Sequence, residues 1–112
     1  WVKGKSGDTF GPLGPYLVTK DEIKNINNLN LTLDVNGERH QTGNTNQMIF
    51  NFNFLVAHIT SFLTLMPGDI VTTGTPPGVG LGMSPPVFLK NGDLMNLSID
   101  SLGKQNIKVK AE

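Results

Sequence analysis

An alternating apolar run that ends in a tight-turn dipeptide constrains the fold of this chain more than any other feature. The range 29–35 reads Leu-Asn-Leu-Thr-Leu-Asp-Val, a pattern typical of a strand with one buried face. Asn36-Gly37 follows directly and is the strongest short-range signal for a hairpin. The sequence therefore predicts an antiparallel return strand over Arg39–Gly43 and a fold built around a sheet.

The remaining pattern predicts one long helix and more sheet. Apolar residues at helical spacing favour a helix over 50–66 that Pro67-Gly68 ends, and the range 69–73 is predicted as a short strand. A second hairpin turn is predicted at Lys90–Asp93, between strands at 87–89 and 94–100, and a lysine-bearing edge strand ends the chain. The predicted fold is mixed α and β, β-rich, with one packed helix.

Two segments rich in glycine and proline are candidates for a ligand site. Gly74–Gly80 reads Gly-Thr-Pro-Pro-Gly-Val-Gly, and Gly4–Pro15 carries a lysine and hydroxyl groups. Small and φ-restricted residues let main-chain N–H groups and the Thr75 hydroxyl approach a ligand closely. The same composition also fits an ordinary surface turn. The occurrence of two such segments predicts that they share one site.

Length and charge exclude several function classes. A chain of 112 residues is one domain at most. Nine basic and nine acidic side chains, without a basic stripe, predict neither a nucleic-acid partner nor attraction to an anionic membrane. Without cysteine there is no thiolate nucleophile and no zinc–thiolate site. The longest apolar stretch is broken by polar residues, and we expect no membrane span.

Six motifs follow one another over essentially all of the chain: Gly4–Pro15, Val35–Arg39, Gly43–Thr45, Met48–Phe50, Leu65–Ile70 and Gly74–Gly80. In their order and spacing they resemble the C-terminal half of the fumarylacetoacetate hydrolase family. The likeness is closest to the branch of 2,4-diketo-3-deoxy-sugar-acid hydrolases, proteins called ureidoglycolate lyase, and 2-hydroxyhepta-2,4-diene-1,7-dioate isomerases.

The resemblance implies a mixed β-sandwich roll and a metal-dependent hydrolase, isomerase or lyase. Its substrates are 2-keto or 2,4-diketo acids, such as acylpyruvates or diketo sugar acids, and a C–C bond breaks through a metal-chelated enolate. Mg²⁺, or Mn²⁺ or Ca²⁺, is the implied ion, and a cytoplasmic homodimer is implied. The chain begins at Trp1 without a signal-peptide pattern. We therefore expect residues 1–112 to be the C-terminal part of one catalytic domain whose upstream part is missing.

The resemblance also implies roles for individual residues. Lys5 matches a catalytic lysine beside the metal and the substrate oxygens, where a cation stabilises enolate charge. Thr75 matches the threonine that binds the substrate carboxylate, with Gly74 as its neighbour. Thr9 is a weak candidate for a position near the metal. Gly7 departs from the bulkier aromatic residue that the family places there.

The family's metal ligands, a Glu-x-Glu pair and an Asp, and its His/Glu dyad are not found in this sequence. His40 and His58 do not match that dyad, and His58 is predicted to be a buried or interface histidine. We read Asp69 and Asp93 as turn formers. The fragment alone is therefore expected to hold no metal and to be inactive. The alternative function is a non-catalytic remnant, a β-rich oligomerisation or binding module of the same fold.

Overall fold

The computed structural model describes residues 2–111, so Trp1 and Glu112 lie outside it. Its helices and strands, in chain order, are α1 Val2–Lys5, β1 Asn30–Val35, β2 Glu38–Asn44, α2 Phe52–Thr60, β3 Leu94–Ile99 and β4 Gly103–Lys108. Short 3-10 turns occur at Lys20–Glu22, Thr45–Gln47 and Gly80–Gly82. The β-rich, mixed fold predicted from the sequence is confirmed.

The four strands form one antiparallel sheet in the order β2-β1-β3-β4. The predicted hairpin is confirmed, because β1 pairs with β2 around Asn36 and Gly37, whose φ angles are 52° and 85°. Positive φ at both positions is what a tight hairpin turn requires. The lysine-bearing strand β4 lies at an edge of the sheet, as predicted.

One face of the sheet is apolar because the strand register aligns the apolar residues of β1 and β3. Leu31 pairs with Ile99, Leu33 with Leu97 and Val35 with Met95. Side chains of directly paired residues point to the same face of a sheet. Among residues 2–111, however, the buried large apolar side chains are those of Leu29 and Val35. The core of this chain is therefore small, and most of its apolar sheet face is only half-buried.

Thr45 is a buried polar residue that ties the end of β2 to the segment before β1. Its hydroxyl donates to the carbonyl oxygen of Ile26 at 2.7 Å and accepts from the backbone N–H of Leu29 at 2.9 Å. Its own backbone N–H donates to the carbonyl of Leu29 at 2.9 Å. A buried hydroxyl that both donates and accepts carries little penalty for its burial.

The helix predicted over 50–66 is shorter, because α2 spans Phe52–Thr60. The Asn51 side chain accepts from the backbone N–H of Phe54 at 2.9 Å. It therefore caps the N-terminus of the helix, which begins at Phe52 instead of residue 50. At the other end, the Thr60 and Ser61 hydroxyls donate to backbone carbonyls of the last turn, which weakens further helix growth. No residue of α2 is buried in this chain.

Two predicted strands are wrong, and one predicted loop is partly helical. The ranges 69–73 and 87–89 have no strand structure, since an extended segment becomes a strand only by pairing. The turn at Lys90–Asp93 forms, but it is tied to Val109 by backbone hydrogen bonds instead of folding two strands together. The first two residues of the glycine-rich segment Gly4–Pro15 belong to one helical turn, Val2–Lys5. Neither helix in residues 2–111 has the length and apolar character needed to cross a bilayer.

Candidate active site

A β-bulge in β2 determines which side chains face the Gly74–Gly80 loop. Asp34 pairs with Arg39, but the residue before it in β1, Leu33, pairs with Gln41. His40 is therefore an extra residue in the ladder. Without the bulge, His40 would take the position opposite Leu33, because side chains alternate along a strand. The extra residue places Gln41 there, on the apolar face. Bulges of this kind often aim a side chain at a functional site.

The Gly74–Gly80 loop is fixed on β2 by this side chain. The Nε2 atom of Gln41 lies 2.9 Å from Oγ1 of Thr75 and 2.8 Å from the carbonyl oxygen of Pro76. The Pro76 ring packs on Gly43, where a Cβ atom would lie 2.7 Å from the ring. The Thr75 side chain itself is exposed. The loop is therefore held on a strand while the Thr75 side chain stays exposed.

The second half of the loop lies close to the backbone of β2. At Gly78, with a φ angle of +105°, a Cβ atom would lie 2.0 Å from the carbonyl oxygen of His40. Only glycine combines this φ angle with so close an approach. Gly74 has a φ angle of +95°, and no atom lies within 4 Å of the position that a Cβ atom would take there. Gly78 thus permits a close approach of the loop backbone to β2, whereas a close approach of the loop to a ligand stays a prediction.

A cleft of about 490 Å³ opens beside the loop, between the apolar sheet face and the segment that follows it. Its floor is formed by side chains of β1 and β3, and its walls include Gly78–Gly80 and Val87–Lys90. Gln41 borders this cleft and also contacts Thr75. The charged and polar side chains at the cleft are Asn36, Glu38, His40, Lys90 and Asp93.

Hydrogen bonds fix one of the two acidic groups at this cleft, Asp93, as a structural carboxylate. The Nδ2 group of Asn36 donates to Oδ1 of Asp93 at 3.0 Å, and the backbone N–H of Lys90 donates to Oδ2 at 2.7 Å. These bonds, the Asn36 bond first, lower the pKa of Asp93 below its usual value. The structure thus confirms Asp93 as a turn former. Asp69 is one as well, since it accepts from the backbone N–H of Met66 at 2.7 Å.

Lys5 and Thr9 lie in the other glycine-rich segment, and both are exposed. That segment is anchored at the opposite edge of the sheet, where Nε2 of Gln105 in β4 donates to the carbonyl oxygen of Gly14 at 2.7 Å. The two edge strands of a four-stranded sheet are roughly 14 Å apart. No hydrogen bond within residues 2–111 joins Lys5 or Thr9 to Thr75. A single site formed by both segments stays a prediction.

Two of the weaker sequence candidates have clear surroundings. A Cβ atom at Gly7 would lie 3.0 Å from the ring of Phe10, so this ring takes up space beside the position where the family has an aromatic side chain. His58 is exposed in this chain, so the buried alternative is wrong, while an interface histidine stays a prediction. Its ring lies 6.1 Å from that of Phe54 and 5.4 Å from that of Phe62, measured between centroids.

The described residues do not fit a metal ion by themselves. Between residues 2 and 111, no three histidine or acidic side chains lie close enough together to hold one. Mg²⁺ prefers carboxylate and water oxygens in octahedral order. The cleft offers two carboxylates, Glu38 and Asp93, of which Asp93 is held by hydrogen bonds within the turn and lies beside Lys90. No reaction step can be derived from a metal held by these residues.

Sequence reasoning did not single out Gln41. A regular two-residue hairpin would place it on the polar face, away from the apolar side of the sheet. The bulge that moves it lies against Gly78, a position 38 residues from His40 in the sequence. No local signal in the sequence identifies it.

Comparison with known proteins identifies relatives along nearly the whole chain. Residues 1–110 match the family model described as fumarylacetoacetate (FAA) hydrolase, C-terminal. A protein of Burkholderia cenocepacia that is named as a hydrolase is 54% identical over 106 residues, which are 94% of this chain and 38% of that protein. The chain therefore spans well under half the length of such curated relatives.

Solved structures share the fold. Fumarylacetoacetate hydrolase from the psychrophile Exiguobacterium antarcticum is 40% identical with a TM-score of 0.94, over 98% of this chain and 39% of that chain. Maleylpyruvate hydrolase from Sphingobium sp. SYK-6, in complex with manganese(II) ion and pyruvate, is 36% identical with a TM-score of 0.82. That match covers 92% of this chain and 36% of the other. The roll predicted from the resemblance is thus confirmed as the fold.

Proposed function

Because the chain belongs to the fumarylacetoacetate hydrolase family, we propose that the enzyme containing it hydrolyses a C–C bond in a 2-keto or 2,4-diketo acid. The observation that carries this proposal is the Thr75 loop, a hydroxyl and adjacent backbone N–H groups held on β2 beside an open cleft. The similar maleylpyruvate hydrolase with bound manganese(II) and pyruvate supports it. Isomerisation of the same substrate class is the second candidate, since both reactions pass through an enolate of the keto acid.

The chain's own residues bind the substrate and stabilise charge in this proposal. The Thr75 hydroxyl and N–H groups near Gly74 bind the substrate carboxylate, as charge-assisted hydrogen bonds suit that anion. Water adds to the distal carbonyl carbon, and the C–C bond breaks. Its electron pair passes to the keto-acid fragment as an enolate, which is then protonated. The Lys5 ammonium group stabilises the enolate oxygen, and the rest of the domain must bring it there.

A divalent ion, Mg²⁺ or a similar one, is part of the proposal for the whole enzyme. When bound, it supplies Lewis-acid polarisation of the α-keto carboxylate. Because the described residues do not fit a metal, we propose that its ligands come from the part of the relatives' length that this chain does not span. We also propose that residues 1–112 are the C-terminal part of one catalytic domain and that the enzyme is a cytoplasmic homodimer.

A substrate panel on the full-length enzyme tests the function. Acylpyruvates, diketo sugar acids and a hydroxydienedioate would be incubated with Mg²⁺, with Mn²⁺ or with EDTA, and products identified by mass spectrometry. We expect metal-dependent release of a 2-keto acid and a carboxylic acid. A product of unchanged mass would indicate isomerisation, and no turnover of any of these acids would favour the non-catalytic remnant.

A further inference from the structure

The orientation of the Gln41 amide is fixed by its contact with Pro76. A carbonyl oxygen can only accept hydrogen bonds, so the group 2.8 Å from the Pro76 oxygen must be the amide NH₂. An inverted amide would place two oxygen atoms at this distance with no proton between them. The same NH₂ group has a second N–H, and the Thr75 Oγ1 atom lies 2.9 Å from the nitrogen. Gln41 therefore donates to both groups.

This contact determines the role of the Thr75 hydroxyl. Since its oxygen accepts a hydrogen bond from Gln41, its own proton must point elsewhere. Within residues 2–111, the acceptor found for it is the Pro76 carbonyl at 3.3 Å, which is longer than an ordinary O–H···O bond. That carbonyl already accepts from Gln41. A carbonyl oxygen can accept two hydrogen bonds, but the Thr75 contact is long and the side chain is exposed. The Thr75 proton can therefore turn to an acceptor outside the protein.

We propose that Gln41 is a positioning residue that keeps Thr75 as a hydrogen-bond donor toward the substrate carboxylate. This rests on the proposed function, in which Thr75 binds that carboxylate. The bulge at His40 places Gln41 under the loop, and one amide group fixes both the hydroxyl of Thr75 and the main chain that follows it. Because Gln41 lies on a strand, it provides a rigid support of the kind that precise sites need.

Gln41→Glu in the full-length enzyme tests the proposal directly. Glutamate has nearly the same shape but cannot donate, so the Thr75 hydroxyl would turn to donate to it and would lose the substrate. We expect KM for the keto acid to rise about tenfold or more, while kcat changes much less, because the lost bond is to a charged group. Gln41→Met removes both N–H groups without adding charge and should act in the same direction. If Gln41→Glu does not fold, Gln41→Met carries the test.

Gln47→Glu is the matched control for the added negative charge. The Gln47 Oε1 atom accepts from the backbone N–H of Asn44 at 3.1 Å, and glutamate keeps that bond. We expect no change in KM. The second control is the Thr75→Val background, in which Gln41→Glu and Gln41→Met should have little further effect on KM. A residue that only stabilised the fold would instead act equally in both backgrounds.

The outcomes separate this proposal from the proposed function. If Thr75→Val raises KM but neither Gln41 variant does, the role of Gln41 is refuted and the carboxylate site stands. Gln41 effects that persist in full with Thr75→Val also refute it. If Thr75→Val leaves KM unchanged in an enzyme that turns over keto acids, Thr75 does not bind the carboxylate, and the role of Gln41 fails with it.

Discussion

Gly78→Ala is the substitution for which the structure predicts the largest local effect. A Cβ atom there would lie 2.0 Å from the His40 carbonyl oxygen, although real Cβ contacts are essentially never below 3.0 Å. The loop must therefore move by at least about 1 Å. A shift of that size would lengthen the 2.8 Å bond between Gln41 and Pro76 beyond hydrogen-bonding distance. Thr75 would lose its support as well.

Two glycines of the same chain separate the causes of this effect. Gly68 has a φ angle of +101° with no atom near a Cβ, so Gly68→Ala measures backbone strain alone. Gly80 has no positive φ angle, but a Cβ there would lie 1.8 Å from the Val87 carbonyl oxygen, so Gly80→Ala measures the clash. We expect losses of unfolding free energy of about 1 kcal/mol for Gly68→Ala, about 1–3 for Gly80→Ala and about 2–4 for Gly78→Ala.

The assay is urea denaturation of each full-length variant together with KM for the keto acid. Gly78→Ala should raise KM, because a displacement of about 1 Å would move the Thr75 hydroxyl out of hydrogen-bonding distance of the substrate carboxylate. Gly68→Ala should leave KM unchanged. The reasoning is refuted if Gly78→Ala is no less stable than Gly68→Ala and keeps the wild-type KM.

Three further predictions concern the proposed catalytic group, the core and acid stability. Lys5→Ala in the full enzyme should lower kcat about 10²-fold or more, and unchanged steady-state turnover would contradict its role. Thr45→Val removes two buried hydrogen bonds and should cost about 1–3 kcal/mol of unfolding free energy in denaturant titration, whereas the exposed Thr42→Val should cost little. The pKa of Asp93 is lowered in the folded state, so its contribution is present at neutral pH and is lost as the pH falls below the ordinary value near 3.8. Asp93→Asn should therefore flatten the acid limb of the stability profile, and an unchanged acid limb would contradict this.

Local features of the fold were predictable from the sequence because they depend on neighbouring residues only. Strict alternation over 29–35 determines a half-buried strand, and Asn36-Gly37 supplies the positive φ angles that close the hairpin. The turns at Asp69 and Asp93 follow from carboxylates that bond to backbone N–H groups three residues away. The glycine-rich motifs, taken in order, indicated the family that the comparison then identified.

Features that depend on distant pairing were decided only by the tertiary structure. The range 69–73 has strand-like composition, but no strand of residues 2–111 pairs with it. Helix α2 ends at Thr60, where the Thr60 and Ser61 hydroxyls also bond to its carbonyls. Because of the bulge at His40, Gln41 instead of His40 lies opposite Leu33 on the apolar face. The alternation of apolar and polar residues in the sequence does not reveal this shift. The sequence by itself thus determined the hairpin, the family and the Thr75 loop. Only the packing of that loop on β2 determined that Gln41 orients it, because the contact joins side chains 34 residues apart.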